Sequence, residues 1–275
     1  KIKQEKKTIS NHAIIMPMAG SGQKFQEQGY GVCKPLIKVK GKPMFKAVLD
    51  DLHKASIYVF VLRKNMKNFY ETLNCISEYY PKSIIKILDK DSNGQAISCL
   101  KGVEALEKNF PNFKGSITFT SCDTGFIYKK NKFRDLLKSR NSDIIVWGAK
   151  NHPTAIRFPN MFGWIKSKKT NVIDFVNVKK PLNNPKTDPL ITGTFTFKNI
   201  NIFRRSVKRL INRNEKVNGE FYLDSAINDA ISLGFFCKLF IVDHQISWGT
   251  PNDLETFNYW QDCFSKWKSH KFRGF

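Results

Sequence analysis

The first apolar block of the chain, Ala13-Ile14-Ile15-Met16-Pro17-Met18, is continuous rather than alternating. That is the pattern of a strand buried on both faces, and it runs into a glycine loop, Gly20-Ser21-Gly22. After Gly41-Lys42-Pro43, a helical spacing of apolar positions extends to about Lys54. The blocks then alternate: a strand over 57–62, an amphipathic helix around 65–79, a strand over 83–88 and a helix over about 93–107. A further strand over 116–121 delivers Cys122 and Asp123 at its C-terminal end. Strands separated by helices predict a mostly parallel sheet with right-handed crossovers.

From residue 143 the pattern changes. Segments 143–150, 162–167, 172–178 and 190–198 read as strands with few helices between them. Helices are expected again over about 201–213 and 222–233, then a strand over 236–242 and a last helix over about 251–270. The fold class this implies is a three-layer α/β/α domain, its mixed and mainly parallel sheet carrying a smaller antiparallel insertion. Residues 1–10, KIKQEKKTIS, have no apolar core and are expected to be a basic tail or linker. Residues 11–275 are expected to form one domain, with membership of a longer chain left open. In such sheets ligands bind at the carboxyl ends of the parallel strands, where both Gly20–Gly22 and Asp123 fall.

Charge alters the picture more than length does. The 275 residues carry 46 Lys+Arg against 23 Asp+Glu, a net charge of +23, and 37 of the cations are lysines. They are scattered, with no helix-turn-helix, RNA-recognition or zinc motif, so sequence-specific nucleic-acid binding is not expected. Biased amino-acid usage accounts for such a chain, and so does a need to attract an anionic substrate, a polyanion or an acidic membrane surface. No run approaches the ~20 apolar residues of a membrane-spanning helix. Six cysteines without a CxxC pair and five dispersed histidines fit free thiols in a cytoplasmic protein without zinc.

Two glycines two apart after a buried strand let the backbone turn tightly, and successive N–H groups in such a turn can hold phosphate oxygens. The loop is not a P-loop, and it is not a dinucleotide fingerprint, because the third glycine is absent and no helix is expected to start there. Lys24, Lys34 in Lys34-Pro35-Leu36 and Lys42 in Gly41-Lys42-Pro43 cluster around it in sequence. Cations so placed would neutralise a triphosphate, and Asp123 would offer an oxygen to Mg2+, which favours one or two carboxylates plus phosphates and water. The bland alternatives are solvated lysines and a turn aspartate.

In order along the chain, the motifs resemble those of the sugar-phosphate nucleotidylyltransferases. Met16-Pro17-Met18-Ala19-Gly20-Ser21-Gly22-Gln23-Lys24-Phe25, Lys34-Pro35-Leu36 and Gly41-Lys42-Pro43-Met44 resemble that family's AGxGxRF…KPL…GKPM signature. Ser92-Asn93-Gly94-Gln95-Ala96 looks like its base-contacting segment, and Ser121-Cys122-Asp123 sits where it places a metal-binding aspartate. Val178-Lys179-Lys180-Pro181 resembles its xEKP segment, and Thr192-Gly193-Thr194-Phe195-Thr196-Phe197 its AGxYxF strand. Val217-Asn218-Gly219-Glu220-Phe221-Tyr222 and Trp248-Gly249-Thr250-Pro251-Asn252-Asp253-Leu254 are similar to its late GE and GTPxDL elements. Together the matches span roughly residues 12–257.

The resemblance implies a GT-A-like fold and transfer of NMP from an NTP to a phosphorylated acceptor, with release of pyrophosphate and with Mg2+ as cofactor. It implies that Ala19, Gly20, Ser21 and Gly22 cradle the triphosphate, that Lys34 and Lys24 act on the reacting phosphates, and that Asp123 holds the metal. Gln95 would read the nucleoside of CTP, UTP or dTTP, while Gly193, Lys180 and Glu220 would bind the acceptor. The acceptor implied is a sugar 1-phosphate, or another phosphorylated alcohol, for a capsule, lipopolysaccharide or similar surface glycan. Three positions depart from the pattern: Lys24 replaces an arginine, Lys179 a glutamate, and Ser247 stands near a late aspartate. A GT-A glycosyltransferase and a catalytically degenerate nucleotide-binding domain are the other readings, the first disfavoured because Cys122-Asp123-Thr124 lacks a DxD motif. Phe257, Trp260, Phe264 and Trp267 fall on one helical face, expected to pack on the domain itself and otherwise on another subunit, a fused domain or a membrane surface.

Overall fold

The computed structural model describes residues 9–267. In chain order its elements begin with β1 (Ile9–Pro17), α1 (Gln23–Glu27), β2 (Lys38–Val39), β3 (Lys42–Pro43), α2 (Met44–Asp51) and β4 (Ala55–Arg63). Next come α3 (Phe69–Tyr79), β5 (Ile84–Leu88), α4 (Gln95–Asn109), β6 (Ser116–Phe119), β7 (Thr124–Ile127) and α5 (Lys130–Lys138). The second half holds β8 (Ile144–Ala149), α6 (Pro153–Arg157), β9 (Trp164–Ser167), β10 (Ile173–Asn177) and β11 (Leu190–Phe197). Then follow α7 (Ile200–Asn212), α8 (Leu223–Ser232), β12 (Cys237–Ile241), β13 (His244–Ser247) and α9 (Pro251–Lys266).

The main sheet runs β5-β4-β1-β6-β11-β8-β12, and β11 alone is antiparallel to its neighbours along that path. The antiparallel pair β9 and β10 joins at the Leu190 end of β11. Strand period sorts the core into two layers. Ile14 and Met16 of β1 and Phe60 and Leu62 of β4 face a cluster that includes Phe45, Val48, Ile76 and Phe133 of α2, α3 and α5. Ala13, Ile15, Val59, Val61, Ile117 and Phe119 face the other, with Val103, Leu106, Phe203, Val207 and Ile227 of α4, α7 and α8. A strand covered on both faces has no polar side, which is why its sequence is continuously apolar.

This is the three-layer, mainly parallel arrangement expected from the pattern, and the antiparallel part lies in the second half. Several details differ. β1 begins at Ile9, inside the segment expected to be a tail, and residues 1–8 lie outside the described ones. A short helix, α1, does start directly after the glycine loop. The ribbon of β7 with β13 was not foreseen, because two four-residue strands exist only through each other's hydrogen bonds. Nor was α5, whose nine residues KNKFRDLLK offer few apolar positions.

The connections from β1 to β4 and β5 move outward on one side, and α4 then returns the chain to β6 on the other side of β1. The carboxyl ends of β1 and β6 therefore diverge into a crevice at a switch in strand order. The last helix, α9, buries Leu254 and sets Phe257 edge-on against Trp248 at 5.5 Å, so its first half packs on the sheet domain as expected. Its second half differs: Trp260 and Trp267 are more than half exposed, and the expected end near residue 270 lies outside the described residues.

Candidate active site

A cleft of about 660 Å³ opens at the carboxyl ends of β1 and β6. One rim is the glycine loop. Met18 donates its backbone N–H to Val61 O at 2.8 Å, tying the loop's start to the sheet, and Gly22 adopts a left-handed φ of +64° before Phe25 N closes back on Gly22 O at 3.0 Å. The fully buried Phe25 ring anchors the far side of this turn. Ala19, Gly20, Ser21 and Lys24 line the cleft, and Gly22 sits behind them, where an added Cβ would lie 3.3 Å from Lys34 Cβ.

Lys34 enters from a 3-10 turn, Lys34–Leu36, fixed by the buried Pro35. Its Nζ donates to Asp123 Oδ2 at 2.5 Å, lies 3.4 Å from Gly249 O and sits 5.7 Å over the Phe25 ring. Side chains 21% and 20% exposed make this a largely buried ion pair. Burial opposes the charge on both groups, yet Asp123 holds the Lys34 ammonium above its ordinary value, and Lys34 holds the Asp123 carboxyl below the ordinary carboxylate value. Trp248 N donates to Asp123 O at 2.8 Å, so the β7–β13 ribbon brings the Ser247–Thr250 turn against Asp123. Lys42, by contrast, pairs with Asp50 at 2.7 Å outside the cleft.

The opposite rim begins with Gln95 at the first turn of α4. Phe221 N donates to Asn93 O at 2.9 Å and Ala96 N to Phe221 O at 3.0 Å, which places Glu220 beside Gly94 and Gln95, with both Glu220 and Gln95 lining the cleft. Gly193 and Thr192 of β11 form the floor further along. The Lys179-Lys180 pair is divided between the cleft and solvent. Lys179 has a left-handed φ of +56° and turns into the cleft, its Nζ donating to Met161 O at 3.0 Å and lying 5.5 Å over the Tyr222 ring. Lys180 is exposed and does not line the cleft.

Several lining residues were not singled out in the sequence, among them Asp224, Gln245, Thr154 and the Met161-Phe162-Gly163 segment. Asp253, in the Trp248–Leu254 motif, also lines the cleft. Its carboxylate is saturated by hydroxyls: Ser247 and Thr250 donate to Oδ2 at 3.2 and 2.9 Å, and Thr154 to Oδ1 at 3.0 Å. It organises the helix cap rather than offering free oxygens.

Among the described residues no group of three or more His, Cys, Asp or Glu gathers to hold a metal. Asp91, Asp123, Glu220, Asp224 and Asp253 all line the cleft, and Asp123 is tied to the glycine-loop rim through Lys34, with a long 3.4 Å contact from Thr124 at its Oδ1. One carboxylate beside a glycine loop rich in backbone N–H groups suits Mg2+, which takes its other ligands from phosphates and water. The donor set therefore fits that ion through Asp123.

No family model matches the chain, and no curated protein matches it. Solved structures do. A nucleoside-diphosphate-sugar pyrophosphorylase from Vibrio cholerae aligns over 89% of this chain and 98% of its own, with 20% identity and a TM-score of 0.69. An inositol-1-phosphate CTP transferase from T. maritima covers 90% and 94%, at 15% identity and a TM-score of 0.64. A putative glucose-1-phosphate thymidylyltransferase from Bacillus anthracis covers 90% and 94%, at 15% identity and a TM-score of 0.66. The chain thus has the Rossmann-like fold on which these three nucleotidyltransferase structures are built.

Proposed function

We propose that the protein transfers a nucleoside monophosphate from an NTP to a phosphorylated small-molecule acceptor and releases pyrophosphate. The observation that carries this reading is the meeting of Gly20 and Ser21 of the glycine loop, Asp123 with Lys34 bound behind it, and Gln95 around one cleft. An oxygen of the acceptor phosphate attacks the α-phosphorus, and the bond from that phosphorus to the bridging oxygen of the β-phosphate breaks. The acceptor phosphate is already an anion, so the chain needs neither a nucleophilic side chain nor a general base. Backbone N–H groups of residues 20–22 hold the triphosphate, and Lys24 and Lys34 neutralise charge as it moves onto the leaving pyrophosphate. Bound Mg2+, held through Asp123, would supply further neutralisation.

Gln95 reads the nucleoside, its amide able both to donate and to accept, which suits CTP, UTP or dTTP. Gly193 and Glu220 face the acceptor, and Lys179 takes the cationic role first carried onto Lys180. The acceptor proposed is a sugar 1-phosphate, and the product an activated precursor of a surface glycan made in the cytoplasm. Pyrophosphate release measured with each NTP against a panel of phosphorylated sugars and alcohols tests this. Release that needs both substrates supports transfer. Hydrolysis of a finished sugar nucleotide, with no pyrophosphate from any NTP, refutes it.

A further inference from the structure

We infer that Asp224 decides which acceptor the cleft takes, by accepting a hydrogen bond from an acceptor hydroxyl at the end away from the glycine loop. The inference rests on the transfer reading above. Asp224 stands in the first turn of α8 and lines the cleft beside Gly163 and Ile191. The fit there is close: a side chain at position 163 would collide with the Asp224 carboxylate and with Ile191 Cδ1. Among the described residues no side chain donates to this carboxylate. Its own backbone N–H holds the carboxyl down.

A carboxylate so placed is costly to keep charged and empty-handed. Burial pushes its carboxyl up to about 6, and Lys179 offsets this only in part. The charged and titratable groups at this end are Lys179, Glu220 and Tyr222. Tyr222 hydrogen-bonds with Glu220, and Lys179 Nζ is bound to Met161 O at 3.0 Å, so neither is committed to Asp224. A donor from the substrate would supply what the protein leaves out.

A neutral hydroxyl suits the place better than a cation. A quaternary or protonated amine would seek an aromatic face, and the Tyr222 ring is covered by the Lys179 ammonium at 5.5 Å. The same ammonium would repel an incoming cation. An acceptor carrying hydroxyls, such as a hexose or polyol phosphate, meets no such opposition.

The test is isothermal titration of the full chain and its Asp224→Asn variant with glucose 1-phosphate, phosphocholine and Mg·CTP as probes. Glucose 1-phosphate should bind the variant roughly ten- to a hundredfold more weakly, with Mg·CTP affinity unchanged. The wild-type-to-variant ratio should shrink as pH falls from about 7.5 to about 5.5, because protonated Asp224 is a poorer acceptor. The probe's own phosphate titrates near ~6 with both proteins, so the ratio isolates Asp224. Asp224→Ser serves as a second variant should Asp224→Asn fold poorly, and the same loss is expected. Equal glucose 1-phosphate affinity in wild type and variant overturns the inference. So does wild-type protein that ignores glucose 1-phosphate, or phosphocholine binding that is lost with Asp224. Pyrophosphate release by the wild type with any acceptor is scored separately. Its absence defeats the transfer reading, whereas normal release and acceptor affinity in Asp224→Asn defeat only the role of Asp224.

Discussion

Replacing Lys34 by methionine leaves the Asp123 carboxylate mostly buried and without its ion pair. Breaking a buried pair from one side costs ~3–5 kcal/mol, because the remaining charge is stranded away from water. With about a fifth of each side chain reaching solvent, we expect a loss of about 2–3 kcal/mol at neutral pH. The pH dependence has a definite sign. In the wild type Asp123 titrates below its ordinary value of 3.8, so the pair's contribution is complete above that value and is lost as pH falls through the lower, folded one. Lys34 titrates above 10.5, so its share persists to that pH and fades only beyond it. In Lys34→Met, burial is opposed by the Ser121 hydroxyl and the backbone N–H of Asp123 but no longer by a cation, so the carboxyl rises from its wild-type value, and acid relieves the variant while it removes the pair from the wild type. Denaturant titrations from about pH 3 to about pH 9 should therefore show a stability gap that is widest at neutral pH and narrows in acid. The double variant Lys34→Met/Asp123→Asn should recover most of the loss, and Mg2+ should stabilise Lys34→Met more than the wild type by taking the freed carboxylate. A neutral-pH gap under about 0.5 kcal/mol, or one unchanged in acid, would refute the reasoning.

Other consequences follow from the same coordinates. His12 and His53 are buried with their Nε2 atoms 2.8 Å apart, and burial depresses both, His12 to about 3. Stability should be full above 6.5, the ordinary imidazole value, and fall as pH drops below it, by about 2–3 kcal/mol near pH ~5.5. Denaturation of His53→Phe over the same range should show a shallower slope, and an identical slope would remove the histidines as its cause. Gly22→Ala places a Cβ at a φ of +64° and 3.3 Å from Lys34 Cβ, which should cost ~1–2 kcal/mol and weaken NTP binding. Unaltered nucleotide affinity would separate the loop from the triphosphate. Lys24→Arg should match or exceed wild-type turnover, since a guanidinium offers two parallel donors to phosphate; a marked fall would show that Lys24 needs its compact ammonium.

The central strands could be read from the chain because their burial is complete. Ala13–Met16, Val59–Leu62 and Ile117–Phe119 lie between two helical layers, so their positions are apolar apart from Thr118, whose buried hydroxyl bonds that of Thr196, and no partner need be known. The glycine loop and Lys34-Pro35-Leu36 were legible for a related reason: their geometry is local, set by glycines and a proline within a few residues. Asp123 was legible as the end of such a strand. Where a residue's role depends on a distant segment, the one-dimensional pattern is silent. β7 and β13 are separated by more than a hundred residues and hold each other in place, and only that pairing sets Trp248 and Gly249 against Asp123. Which of Lys179 and Lys180 lines the cleft goes with a left-handed φ at Lys179, a conformation that a lysine does not advertise. Asp224 looked like any acidic residue in a first helical turn, since charge near a helix N-terminus is favourable on its own. Packing against Gly163 and Ile191 gave it a place in the cleft. Composition and local backbone chemistry thus determined the central strands, the glycine loop and the Lys34 turn, while long-range packing alone decided which acidic and basic side chains share the far end of the cleft.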